Sequence, residues 1–176
     1  MGLIQPGDLD LFRFTACRGE FVILRVDALT QTNYFNPWLR LYNPSGILVA
    51  DSGSGSSVAT ATIALAVTNA GAFTVVLADS AYGNEAGSGD YKLTSNGLSD
   101  EFRMCRPVIA GTNVTLAAIG GPTNATYVLF THTNLATLPA LWTPLRTNQF
   151  DAYGVFAFTN RYNTAEDQRF FHLRPL

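Results

Sequence analysis

The stretch Asn36-Pro-Trp-Leu-Arg-Leu-Tyr-Asn-Pro-Ser-Gly-Ile-Leu-Val-Ala-Asp51 reads directly as a β-hairpin. Pro37, Leu39 and Leu41 alternate with Trp38, Arg40 and Tyr42, the two-residue period of a strand with one buried face. Asn43-Pro44-Ser45-Gly46 supplies the turn: Pro pre-sets φ, Asn bonds nearby backbone, and Gly accepts positive φ where the chain re-enters the sheet. A second apolar run, Ile47 to Ala50, returns.

Similar short runs fill the chain at even spacing, separated by Gly, Asn, Thr and Ser, and long helical patterns are missing. In the N-terminal part the predicted strands are Leu9 to Thr15, Phe21 to Val26, Pro37 to Tyr42, Ile47 to Ala50, Val58 to Leu65, Phe73 to Leu77 and Asp90 to Thr94. The periodicity stops near residues 96–100, where a domain boundary is expected. A second series follows: Asn113 to Ile119, Thr126 to Thr131, Leu141 to Arg146, Gly154 to Thr159 and Arg169 to Arg174. Its expected core is Tyr127, Leu129, Trp142, Phe156, Phe158 and Phe170. The expectation is an all-β chain with two tandem β-sandwich domains, 1–97 and 107–176, joined by a linker at 98–106. The spacing of the second fits a small immunoglobulin-like or fibronectin-like sandwich.

Composition narrows the function classes. Hydrophobic residues make up 47% of the 176 and charged residues 14%, enough apolar surface for a core and too little charge for a disordered chain. The net charge of -2 offers no basic field for nucleic acid or an anionic membrane. No apolar run approaches the ~18 residues of a membrane span. Met1 to Gln5 lack the basic start and long apolar centre of a signal peptide. Either the chain is cytoplasmic or its leader has been removed; because strand-like sequence begins almost at once, a fragment of a longer exported protein is the expected reading.

Several ordered blocks carry a family resemblance: Gly7-Asp8-Leu9-Asp10-Leu11-Phe12-Arg13-Phe14, Gly19-Glu20, Asn36 to Gly46, Gly71-Ala72-Phe73-Thr74-Val75 and Gly87-Ser88-Gly89-Asp90-Tyr91-Lys92-Leu93. Together, over residues 3–96, they resemble the bacterial pre-peptidase C-terminal domain family. The resemblance implies a jelly-roll-like β-sandwich appended to secreted proteases and other exported proteins. Relatives include the collagen-binding modules of secreted bacterial collagenases, some of which bind calcium. It implies an accessory role and no catalytic residues. Residues 107–176, with Thr133-Asn134-Leu135, Leu141-Trp142-Thr143-Pro144 and Gln168 to Leu173, look like C-terminal modules of large bacterial surface proteins.

Candidate sites are few. Trp38, Arg40 and Tyr42 project from one strand face; exposed, that stripe would stack on sugar rings or grip a peptide, and covered, it is packing surface. Tyr34, Phe35 and Tyr82 sit in loops and would extend a binding surface. Asp8 and Asp10 offer oxygens to a calcium ion, and Asp79, Asn84, Glu85 and Asp90 form a second oxygen-rich group. The competing reading is that these carboxylates cap turns and pair with neighbouring strands. His132 and His172 are isolated and read as surface or strand-packing residues. Cys17 and Cys105 lack Cys-x-x-Cys spacing; they form one disulfide in an oxidising compartment or stand as two small buried thiols. Asn113-Val-Thr115 and Asn124-Ala-Thr126 match the glycosylation acceptor pattern, which matters only on a eukaryotic secretory route.

No nucleophile elbow or phosphate loop is present. The expected function is therefore a non-catalytic binding, targeting or stalk module, extracellular or at a cell surface. It would meet a protein or polysaccharide surface, or its own copies, without nucleic acid, membrane insertion or an obligatory cofactor. A self-assembling fibre or surface-layer subunit is the alternative, and a hydrolase the remote one.

Overall fold

The computed structural model describes every residue except 31–34, 54–57, 81–86 and 162. The chain divides into two compact units, Met1–Ser99 and Asp100–Leu176, each built of antiparallel strands.

The first unit contains β1 (Gly2–Ile4), β2 (Leu9–Ala16), β3 (Phe21–Ala28), β4 (Pro37–Tyr42), β5 (Leu48–Asp51), β6 (Thr60–Ala66), β7 (Gly71–Asp79) and β8 (Gly89–Asn96). They form two four-stranded sheets, ordered β1-β8-β3-β6 and β2-β7-β4-β5. That is the strand order of an eight-stranded jelly roll. Alternation explains the packing. Val22, Leu24 and Val26 of β3 face Leu39 and Leu41 of β4 and Phe73, Val75 and Leu77 of β7 in one buried cluster. Each such side chain contributes roughly 1.5–3 kcal/mol by leaving water. The hairpin turn follows from its residues: Asn43 Oδ1 accepts the N–H groups of Ser45 and Ile47 at 2.9 and 3.0 Å. Gly46 takes φ 76°, a conformation its missing Cβ permits.

The second unit contains β9 (Arg103–Met104), β10 (Val108–Ala110), β11 (Asn113–Ile119), β12 (Thr126–His132), β13 (Thr143–Gln149), β14 (Phe156–Arg161) and β15 (Phe170–Pro175). One sheet is ordered β10-β11-β14, with β9 also paired to β11; the other is β13-β12-β15. The core joins Leu116 of β11, Tyr127 and Leu129 of β12, Phe150, Phe156 of β14 and Leu173 of β15. Counted from β10, the strand order matches the immunoglobulin class of sandwich: the second strand, β11, lies beside the fifth, β14, in one sheet, and the third, β12, beside the sixth, β15, in the other.

Three local expectations change. Segment 98–106, read as linker, holds β9, which pairs with Ala118 and Ile119. The strand expected over Leu141 to Arg146 starts only at Thr143, because Pro139–Leu141 forms a 3-10 turn with proline in its first positions. Phe170, expected in the core, lies on the outward face of β15; its neighbour Phe171 packs against the core. β1 and β10 were too short to read from alternation.

Candidate functional site

The outer face of the β2-β7-β4-β5 sheet is the most developed surface among the described residues. Register builds it in three rows. Leu9, Ala78 and Trp38 are opposite one another; so are Leu11, Val76, Arg40 and Asp51, and then Arg13, Thr74, Tyr42 and Leu48. Trp38, Arg40 and Tyr42 are each half-buried, and their alternation partners Leu39 and Leu41 are fully buried. Leu9, Leu11 and Leu48 are 58%, 66% and 46% exposed, so the face presents apolar surface as well as aromatic rings.

The centre of the face is pre-organised. The Arg40 guanidinium carbon sits 3.5 Å from the centroid of the Trp38 ring, a cation–π contact worth about 0.5–1 kcal/mol at an exposed site. The Trp38 indole N–H donates to Asp51 Oδ1 at 2.7 Å. Arg40 Nε lies 3.5 Å from Asp51 Oδ2, an ion pair without the alignment of a hydrogen bond. Asp51 therefore holds both the ring and the cation. Sequence reading missed it, because a register shift between Leu41 and Tyr42 hides which residue of β5 stands opposite Arg40.

Of the carboxylates read as calcium ligands, Asp79, Asp10 and Asp8 accept hydrogen bonds from the chain. Asp79 Oδ1 accepts the N–H of Asn36 at 2.8 Å and Oδ2 accepts the N–H of Gly87 at 2.9 Å, so it clips two chain segments together. Asp10 faces the sandwich interior and accepts the Tyr91 phenol. Asp8 caps its own turn by accepting the N–H of Leu9. Asp90 is exposed on β8, its N–H donating to the Thr30 hydroxyl. Among the described residues, no group of three His, Cys, Asp or Glu side chains is placed to hold a metal ion. Tyr34, Tyr82, Asn84 and Glu85 lie outside the described residues, and Phe35, read as part of the binding surface, is instead buried in the core of the first unit, where its apolar ring leaves water.

His132 and His172 pack around Trp142 in the second unit: the His132 ring lies 6.1 Å from the indole and nearly parallel, and His172 meets it edge-on at 6.3 Å. His132 Nδ1 accepts the N–H of Asn134, so this ring shapes a turn. Both cysteines are buried and disulfide-bonded, and neither is a free thiol.

Burial raises the ionisation of Tyr91 well above the ordinary phenol range, and its hydrogen bond to Asp10 adds to the effect. The Arg169 guanidinium holds Glu166 below the usual carboxylate range. Arg25 and the Thr60 hydroxyl do the same for Asp27.

The chain matches no protein-family model, and no curated protein is significantly similar to it.

Proposed function

We propose that this chain is a non-catalytic recognition module of a secreted or surface protein, binding a protein partner through the outer face of the β2-β7-β4-β5 sheet. The observation that carries the reading is the Trp38–Arg40–Asp51 assembly, held in place and flanked by exposed leucines. A face of rings and aliphatic side chains with its charges already balanced fits a protein surface. A sugar fits it less well, because Arg40 occupies a face of the Trp38 ring on which a pyranose would stack. The oxidised cysteines support an extracellular location, since such bonds persist in oxidising compartments.

The test is a binding screen of the intact chain against secreted and matrix proteins, with Leu11→Glu, an exposed change on the same face, as the control. This reading expects partners that are lost with Leu11→Glu while the melting temperature holds. Binding that survives the substitution would remove the face from the account. A second reading, self-assembly, draws on β2: an eight-residue strand at the edge of its sheet with Leu9 and Leu11 exposed is a template for pairing. Size-exclusion chromatography separates the two, discrete monomers favouring recognition and polymers favouring assembly.

A further inference from the structure

The second unit carries a separate feature. β15 forms one edge of the β13-β12-β15 sheet, where the immunoglobulin class of sandwich has one more strand. Leu176 N–H donates to Thr126 O, which fixes the alternation along β15. Phe170, His172 and Arg174 therefore turn their backbone groups to β12, while Phe171 and Leu173 turn theirs to the open edge. Two N–H donors and two carbonyl acceptors thus form a short ladder with no backbone partner among the described residues.

Beside this edge lies a groove of about 330 Å³, bounded by Pro107, Ile109 and Val114 on one side and Phe171 on the other. Its apolar lining includes Ile109, which is 64% exposed. Residues of the 163–169 loop line it as well. There Arg169 and Glu166 pair at 2.6 Å and cancel, leaving Asp167 as the unbalanced charge.

We propose that this edge and groove bind one extended peptide segment of another polypeptide, antiparallel to β15. The segment would carry apolar side chains at the two positions opposite Phe171 and Leu173, a polar residue between them, and a basic residue toward Asp167. The ladder calls for backbone in the strand conformation, which is the recognition mode of strand addition. The groove calls for side chains free to enter it. That separates a lone strand from a second copy's β15, whose Leu173 is only 5% exposed and already committed to its own core. Period-two alternation then sets the sequence pattern. This site is independent of the Trp38 face, so either reading can fail alone.

The test uses the intact chain and a synthetic peptide, Gly-Thr-Val-Thr-Val-Ser-Lys, whose C-terminal lysine lies toward Asp167 in the antiparallel pairing, with a control of the same composition whose two valines are adjacent. Binding is followed by fluorescence anisotropy, and amide exchange reports on Phe171 and Leu173. Saturable binding with slowed exchange at these two amides is expected, weaker by about tenfold for the control peptide and for the Ile109→Glu chain. Ile109 is exposed, so its substitution leaves the melting temperature in place and separates loss of binding from loss of fold. Asp167→Lys should weaken the peptide further. Absence of binding, binding without protection of both amides, or equal affinity for the control overturns the proposal. Concentration-dependent dimerisation that protects the same amides without peptide also overturns it, because a second copy would then own the edge.

Discussion

The Tyr91 phenol on β8 donates a hydrogen bond of 2.5 Å to Asp10 Oδ2 on β2, joining the two sheets of the first unit. Tyr91 is 3% exposed, and Phe12 packs edge-on against its ring. This is a polar clasp inside an apolar sandwich, and each partner depends on the other for its hydrogen bond.

Tyr91→Phe is expected to destabilise the chain by about 1–3 kcal/mol, because it removes the donor that satisfies a part-buried carboxylate. The sign of the pH effect follows. A phenol whose folded value is raised contributes stability that is present below its unfolded value, near pH 10, and lost as pH rises toward the folded value. Alkaline unfolding monitored by tyrosinate absorbance should show Tyr91 ionising only with unfolding. Early ionisation of all tyrosines in the folded chain would contradict this.

Asp79 accepts two backbone N–H groups from segments 43 and 8 residues away in sequence. Asp79→Ala leaves both donors without their partner and should cost about 1.5–3 kcal/mol in urea unfolding. Because these oxygens are engaged by the chain, melting in calcium and in chelator should coincide. A calcium-dependent rise in melting temperature would favour the metal reading of Asp79 and its neighbours.

Neither cysteine is a free thiol, and Cys17 and Cys105 are the chain's only two. Thiol titration of the unreduced, denatured chain should therefore find no free thiol. Replacing both with serine is expected to cost about 2–5 kcal/mol, the range for losing a native disulfide from a small secreted domain. Disulfide-linked dimers on a non-reducing gel would show that the bonding is between chains.

Glu166 and Asp27 are held below the usual carboxylate range, the first by Arg169 and the second by Arg25 with Thr60. Their stabilisation is present above the unfolded carboxylate values and is lost as pH falls through the depressed folded values. Both groups are solvated, so the effect is small and screened by salt. Stability measured on the acid limb should fall less steeply for Glu166→Gln than for the parent chain, and the difference should shrink at high ionic strength.

Local sequence determined the strands, the Asn43–Gly46 turn and the inward set Leu39 and Leu41, because alternation and turn chemistry act between neighbours in the chain. It also placed Trp38, Arg40 and Tyr42 on one face. It could not reveal that Asp51 clamps two of them, that Asp79 is a clip between distant segments, or that Asp10 answers Tyr91 across 81 residues. Those pairings depend on register, bulges and sheet order. The short strands β1, β9 and β10 have too few residues for a period and exist because longer strands offer them an edge. Sheet order likewise decided that β15 ends its sheet beside an apolar groove, a property of how strands assemble that no single stretch of residues encodes.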